Sequence, residues 1–361
     1  MHQLVKMIPL EPYAFGTDQK FRYPGEQSTG KESYFVRSRT VPEQTTIFGM
    51  LRFLVLKQKG LLHSNFKYSK EEQQKISQWI GAKSFQFGKE KQDFGSIHRI
   101  SPVFLMDADG NYLVKNPFHN TQEKQGYRPM VLSDQEIETS FGKIRLPELE
   151  EYHAKTGHAT GYYNLNSGMI HRELFTSILL PGNRKNNKTS DNDCFFKKEY
   201  YLLKKGYCFA VFVEADECFQ TDTVSIGMGG STFLVSNETG RKDDLEEYVK
   251  KAFVGNTDTG SEQDIWIYAL SDLVVQNQPM NHRYETFCIV EQKQMRNLTT
   301  NYNEKVWLRK LALSGYQKNM IQSGSVFYKS CNLDLEGENE RQIGYNRVVE
   351  IGGSFCGSNY V

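Results

Sequence analysis

The chain has few features that would narrow its chemistry at once. Its six cysteines form no Cys-x-x-Cys pair and none sits near a histidine at metal-ligand spacing, so buried free thiols in a reducing compartment are expected. No apolar run approaches the length of a membrane span. The N-terminus also has no positively charged stretch followed by a long apolar one, which predicts a cytoplasmic protein. Charge of one sign is missing too. With 44 basic and 43 acidic side chains the formal net charge is +1, which excludes a uniformly basic nucleic-acid surface and requires any such contact to be local. No motif calls for a cofactor or a metal. Asp107-Ala-Asp-Gly110 carries two carboxylates but reads as a hairpin turn.

Aromatic residues are plentiful, 20 Tyr and 23 Phe, as in a strand-rich α+β protein, and 361 residues allow two domains. The stretch from Arg37 to Gly60 organises the chain. Pro42 makes its lead-in extended, and the Thr45-Thr46 hydroxyls are expected to cap a helix. Ile47, Met50, Leu51, Leu54 and Val55 recur at helical spacing, with Phe48, Phe53 and Leu56 spreading the apolar surface, so burial on most of the circumference is predicted, with a stop at Gly60. Gly49 inside the helix costs about 1 kcal/mol against Ala and suggests close approach by a chain segment or a ligand phosphate. Arg52 lies one turn on. Arg37 and Arg39 alternate on the extended lead-in, spaced to follow a phosphate backbone.

Elsewhere, Leu4 to Pro9 reads as a strand and 13–35 as a loop. Ser69-Lys-Glu-Glu72 opens an outer amphipathic helix. Residues 116–170 read as a polar insertion projecting from the core, and 181–193 as a flexible loop. Two aromatic strands, 195–203 and 207–214, are joined at Lys204-Lys205-Gly206. Ser225-Ile-Gly-Met-Gly-Gly-Ser231 is a Gly-rich loop before a strand, with amides that could cradle a phosphate at Gly227, Gly229 and Gly230 or serve tight packing. Leu245 to Phe253 is a third helix, and strands are expected at 264–275, 305–313 and 324–328. The chain closes, near 345, on a second glycine-to-strand passage, which suggests two related units in tandem.

The Val41-Pro-Glu-Gln-Thr-Thr-Ile-Phe-Gly-Met-Leu-Arg52 segment resembles the proline, small-polar pair and Gly-x-Leu-Arg pattern of the RAMP superfamily. Pro181 to Glu214, Ile226 to Ser231 and Ser323-Gly-Ser-Val-Phe-Tyr328 resemble, more specifically, subunit three of the Cmr complex, the type III-B CRISPR effector. The resemblance implies two tandem ferredoxin-like, RRM-related domains, 1–240 with an insertion around 116–193 and then 241–361. It implies a non-catalytic protein of antiviral defence that binds the 5′ tag of the guide RNA and joins the large polymerase/cyclase-like subunit to the backbone RAMP subunit. By position, Arg37, Arg39, Gln44, Thr45, Thr46, Gly49 and Arg52 would meet the tag, with Gly227, Gly229 and Gly230 beside it. The family's charged Gly-Gly-Glu-Gly-Arg type loop here reads Gly-Gly-Ser-Thr-Phe. Alternative readings are the equivalent subunit of a Csm complex, an interaction module unrelated to nucleic acid, or a metal-independent RAMP endonuclease with His63 as general base and Lys67 or Tyr68 assisting.

Overall fold

Leu4 and Val5 project to opposite faces of the strand His2–Pro9, and both are fully buried, so the middle of the first strand is covered on both sides. Its neighbour Tyr207–Ala215 is alike: Phe209, Val211 and Val213 pack to one side, Ala210 and Phe212 to the other. A computed structural model describes these and the other residues of 1–22, 34–63, 68–88, 90–130, 132–140, 142–147, 158–184, 194–253, 265–274, 287–296, 317–328, 333, 335 and 337–352, and it is a mixed α+β fold.

Four strands form the heart of the central antiparallel sheet. In space they run Ser231–Thr239, His2–Pro9, Tyr207–Ala215, Phe104–Asp107, which is fourth, first, third, second in chain order. Helix α1 (Gln44–Gln58) lies in the connection from the first to the second and covers one face, burying Ile47, Phe48, Leu51 and Leu54. Each such side chain contributes roughly 1.5–3 kcal/mol. Helix α2 (Lys70–Ile80) packs outside α1 and opens on the expected capping box, with Ser69 accepting from Glu72 N and the Glu72 carboxylate accepting from Ser69 N.

The opposite face is covered by α3 (Leu245–Ala252) and by a second antiparallel sheet, whose core contacts include Trp266, Tyr268, Val326 and Val349. Its spatial order is Val348–Ile351, Trp266–Ala269, Val326–Tyr328, Cys288–Ile289, again fourth, first, third, second. A short helix, α4 (Glu338–Gln342), precedes its last strand. The third-to-fourth connection of the central sheet, 216–230, carries a hairpin strand, Asp222–Ile226, instead of a helix.

Several expectations change. The 13–35 loop holds strands Phe15–Arg22 and Tyr34–Arg39 of a side sheet, because Tyr34–Arg39 also pairs in parallel with Cys194–Leu203. That pairing takes Cys194–Leu203 away from Tyr207–Ala215, which joins the central sheet, so the two aromatic strands are not hairpin partners. Described parts of 116–170 belong to the core: Phe118, Tyr163 and Leu165 are buried. The polar residues that made this region look solvated satisfy its own chain, since Asn120 donates to Asn116 Oδ1 at 2.9 Å and accepts from the amides of Gln122 and Arg128. Among the described residues, the hairpin of Leu132–Thr139 and Gly142–Pro147 pairs with no other sheet. On α1, Phe53 is 43% exposed rather than buried. The strand expected at 305–313 lies outside the described residues.

Candidate functional site

The start of α1 is held by an acid rather than by threonine. Glu43 is the N-cap, its carbonyl accepts from Thr46 N at 2.9 Å and Ile47 N at 3.1 Å, and no side chain caps the helix. Its carboxylate forms ion pairs with Arg39 and with Lys293, the latter at 2.8 Å, and accepts from the Tyr345 hydroxyl at 3.1 Å. A carboxylate there complements the positive end of the helix dipole. Lys293 also pairs with Asp272, which accepts from Ser323 N at 2.9 Å. Burial lowers the Lys293 pKa, and Asp272 opposes that shift. The whole network ties the lead-in to the C-terminal sheet region.

The residues singled out in the sequence separate into an inward and an outward set. Arg39 turns inward and donates to Gln294 O at 2.5 Å. Gln44 is buried, its amide best oriented to accept from Val103 N at 2.8 Å and donate to Ile343 O at 3.3 Å. Arg52 lies over the Phe48 ring, 5.3 Å from its centroid, facing Gly81 O at 3.5 Å, and burial lowers its pKa. Outward are Arg37, exposed on its strand, and Gly49, also exposed; Thr45 and Thr46 are half-buried between. A Cβ at Gly49 would meet nothing within 4 Å, so no described chain segment makes the expected close approach.

The Gly-rich stretch forms the turn between Asp222–Ile226 and Ser231–Thr239. Gly227, Gly229 and Gly230 all have positive φ. Two of its amides are engaged within the protein: Met228 N donates to Ala14 O at 2.7 Å and Gly230 N to Gly227 O at 3.3 Å. Lys198 Nζ donates to Met228 O at 2.8 Å. The turn and the α1 lead-in meet through Phe15, which pairs with Arg39 in the sheet and whose ring would lie 3.1 Å from a Cβ at Gly227.

Tertiary structure adds a cavity of about 700 Å³ behind the lead-in, walled by Arg39, Glu43, Lys115, Tyr162, Asp272 and Lys293 among others. Lys115 carried no sequence signal, being the last residue of an ordinary strand, Tyr112–Lys115. His63, the alternative general base, sits 2.9 Å from Glu72 Oε1 with its ring 5.2 Å from that of Tyr68; Lys67 lies outside the described residues. Among the described residues no group of three His, Cys, Asp or Glu side chains is placed to hold a metal ion, and no helix is long and apolar enough to cross a membrane.

Residues 6–258 match the family described as "CRISPR-associated protein (Cas_Cmr3)". No curated protein matches the chain. Among solved structures, a chain in "Cryo-EM structure of the Type III-B Cmr-beta bound to cognate target RNA" is 13% identical with a TM-score of 0.47, over 98% of this chain and 99% of that one. A chain of the same assembly with AMPPnP, state 1, is 12% identical with a TM-score of 0.49 and the same coverage. One in the "Csm3-Csm4 subcomplex in the type III-A CRISPR-Cas interference complex" is 12% identical with a TM-score of 0.36, over 97% and 98%.

Proposed function

Because the chain belongs to the Cas_Cmr3 family of CRISPR-associated proteins, we propose that it is a non-catalytic subunit, subunit three, of a type III-B (Cmr) effector. In this reading it is cytoplasmic, grips the 5′ tag of the guide RNA, and joins the large polymerase/cyclase-like subunit to the backbone RAMP subunit in antiviral defence. The observation that carries it is the extent of the family match, which includes the lead-in, α1 and the Gly-rich turn in one span.

The repeated fourth-first-third-second strand order supports reading the chain as two tandem ferredoxin-like units changing over near residue 240. The outward set offers the RNA contact: Arg37 for a phosphate, the Thr45 and Thr46 hydroxyls, and Gly49, whose bare backbone lets a ligand lie against the helix. Arg39, Gln44 and Arg52 then act by fixing the lead-in and helix, and the Gly-rich turn by shaping the adjoining wall.

The test is binding of guide RNA, with and without its tag, to the subunit assembled with its partners. Arg37→Glu should weaken binding of tagged guide by about tenfold or more and reduce the salt slope by roughly one unit. Equal affinity for tagged and untagged guide would overturn the tag reading.

A further inference from the structure

The cavity behind the lead-in is unevenly charged. Its lining holds three cations, Arg39, Lys115 and Lys293, against two carboxylates, Glu43 and Asp272, leaving one positive charge in excess. The excess belongs to Lys115. Arg39 and Lys293 are engaged with Glu43 and Asp272, whereas the Lys115 ammonium has no hydrogen bond or ion pair among the described residues. It lies over the face of Tyr162, 5.5 Å from the ring centroid. Glu291 lies outside the lining and keeps its charge beside His158, 3.2 Å away, whose pKa burial lowers, so it acts on Lys115 through its field alone. A partly buried ammonium without a partner is costly, and an arriving anion removes that cost. Burial lowers the Lys115 pKa, with Asp272 and Glu291 pulling the other way.

Two features limit what the anion can be. At about 700 Å³ the cavity falls in the range of small-ligand sites, with room for a nucleotide-sized group. A single excess charge suits a singly charged oxyanion, such as the phosphodiester of a single strand, better than a cluster of phosphates. The amide end of α1 already has its anion, the Glu43 carboxylate, whose charge is balanced by Arg39 and Lys293, so the cation left to receive a phosphate is Lys115. The lead-in residues Ser38 to Gln44 form one wall of the cavity, so a strand lying along Arg37 reaches it without leaving that surface.

We infer that the cavity is a phosphate site in which Lys115 Nζ pairs with one phosphodiester of the bound RNA, drawn in beside the Arg39–Glu43 ion pair. This assignment rests on the RNA-binding reading above and adds to it an interior subsite. The shared chemistry, a phosphate oxygen on Lys115, is also open to free phosphate.

The experiment uses the assembled subunit and tagged guides in which single phosphodiesters are replaced, one at a time, by neutral methylphosphonates. One linkage should stand out, weakening binding by roughly ten- to a hundredfold, and Lys115→Gln should reproduce the loss while making that linkage silent; Lys115→Arg should restore most of the affinity. The methylphosphonate arm needs no variant and survives a folding defect in Lys115→Gln. If Arg37→Glu weakens tag binding while no linkage depends on Lys115, the interior site is wrong and the RNA reading stands. If tagged RNA does not bind but inorganic phosphate does, in a manner lost in Lys115→Gln, the cavity is an anion site and the RNA reading falls. If neither RNA nor phosphate depends on Lys115, the assignment is overturned.

Discussion

The Tyr345 hydroxyl donates to the Glu43 carboxylate at 3.1 Å, joining the C-terminal region to the N-cap of α1 across 302 positions. Glu43 thereby serves three partners, Arg39, Lys293 and Tyr345, and holds the lead-in against the C-terminal region.

Glu43→Ala leaves Arg39 without its acid and Lys293 with Asp272 alone, and should destabilise the protein by about 3 kcal/mol. Tyr345→Phe removes one hydrogen bond and should cost about 1 kcal/mol. In urea titrations the double variant should lose less than the sum, because the hydroxyl has no acid to serve once Glu43 is gone. Additive losses would mean the contact contributes nothing.

Gly49 and Gly227 should respond oppositely to alanine. Gly49→Ala meets open space within a helix and should raise stability by up to about 1 kcal/mol, while lowering affinity for tagged guide if the ligand lies against the bare backbone. Gly227 has φ +81° and a Cβ there would stand 2.5 Å from Ala14 O, so Gly227→Ala should cost at least about 1–2 kcal/mol. Thermal unfolding separates the two.

Stability should fall with acid because of His119. The ring is buried, stacked on Trp266 at 4.5 Å between centroids and 2.8 Å from the Tyr127 hydroxyl, and burial pushes its pKa down from 6.5 to about 3. The unfolded chain therefore takes up the proton first. The stabilisation from the neutral ring is complete above pH 6.5 and declines by about 1.4 kcal/mol per pH unit as pH drops towards 3. His119→Gln should flatten the unfolding free energy over that window; an unchanged slope would assign the acid sensitivity elsewhere.

No specific cleavage is expected when the protein is incubated with repeat RNA in chelator. A discrete product that disappears in His63→Ala would establish the endonuclease reading in place of the non-catalytic one.

The features legible without the fold are local. The apolar spacing of α1, the Ser69–Glu72 capping box and the Asp107 turn, where the carboxylate accepts from Asp109 N and Asn111 N, all rest on contacts within four residues, so they can be read without the fold. The lead-in could be located but not oriented. Arg37 and Arg39 look equivalent in the sequence, and only the arrival of Glu43, Gln294 and Lys293 from distant segments turns Arg39 inward. Likewise Asn116 and Asn120 look like surface residues until the core closes over them. Lys115 becomes conspicuous only when strands far apart in sequence leave it beside a cavity whose other charges are paired. These outcomes depend on which segments meet, and no local spacing or propensity encodes that meeting.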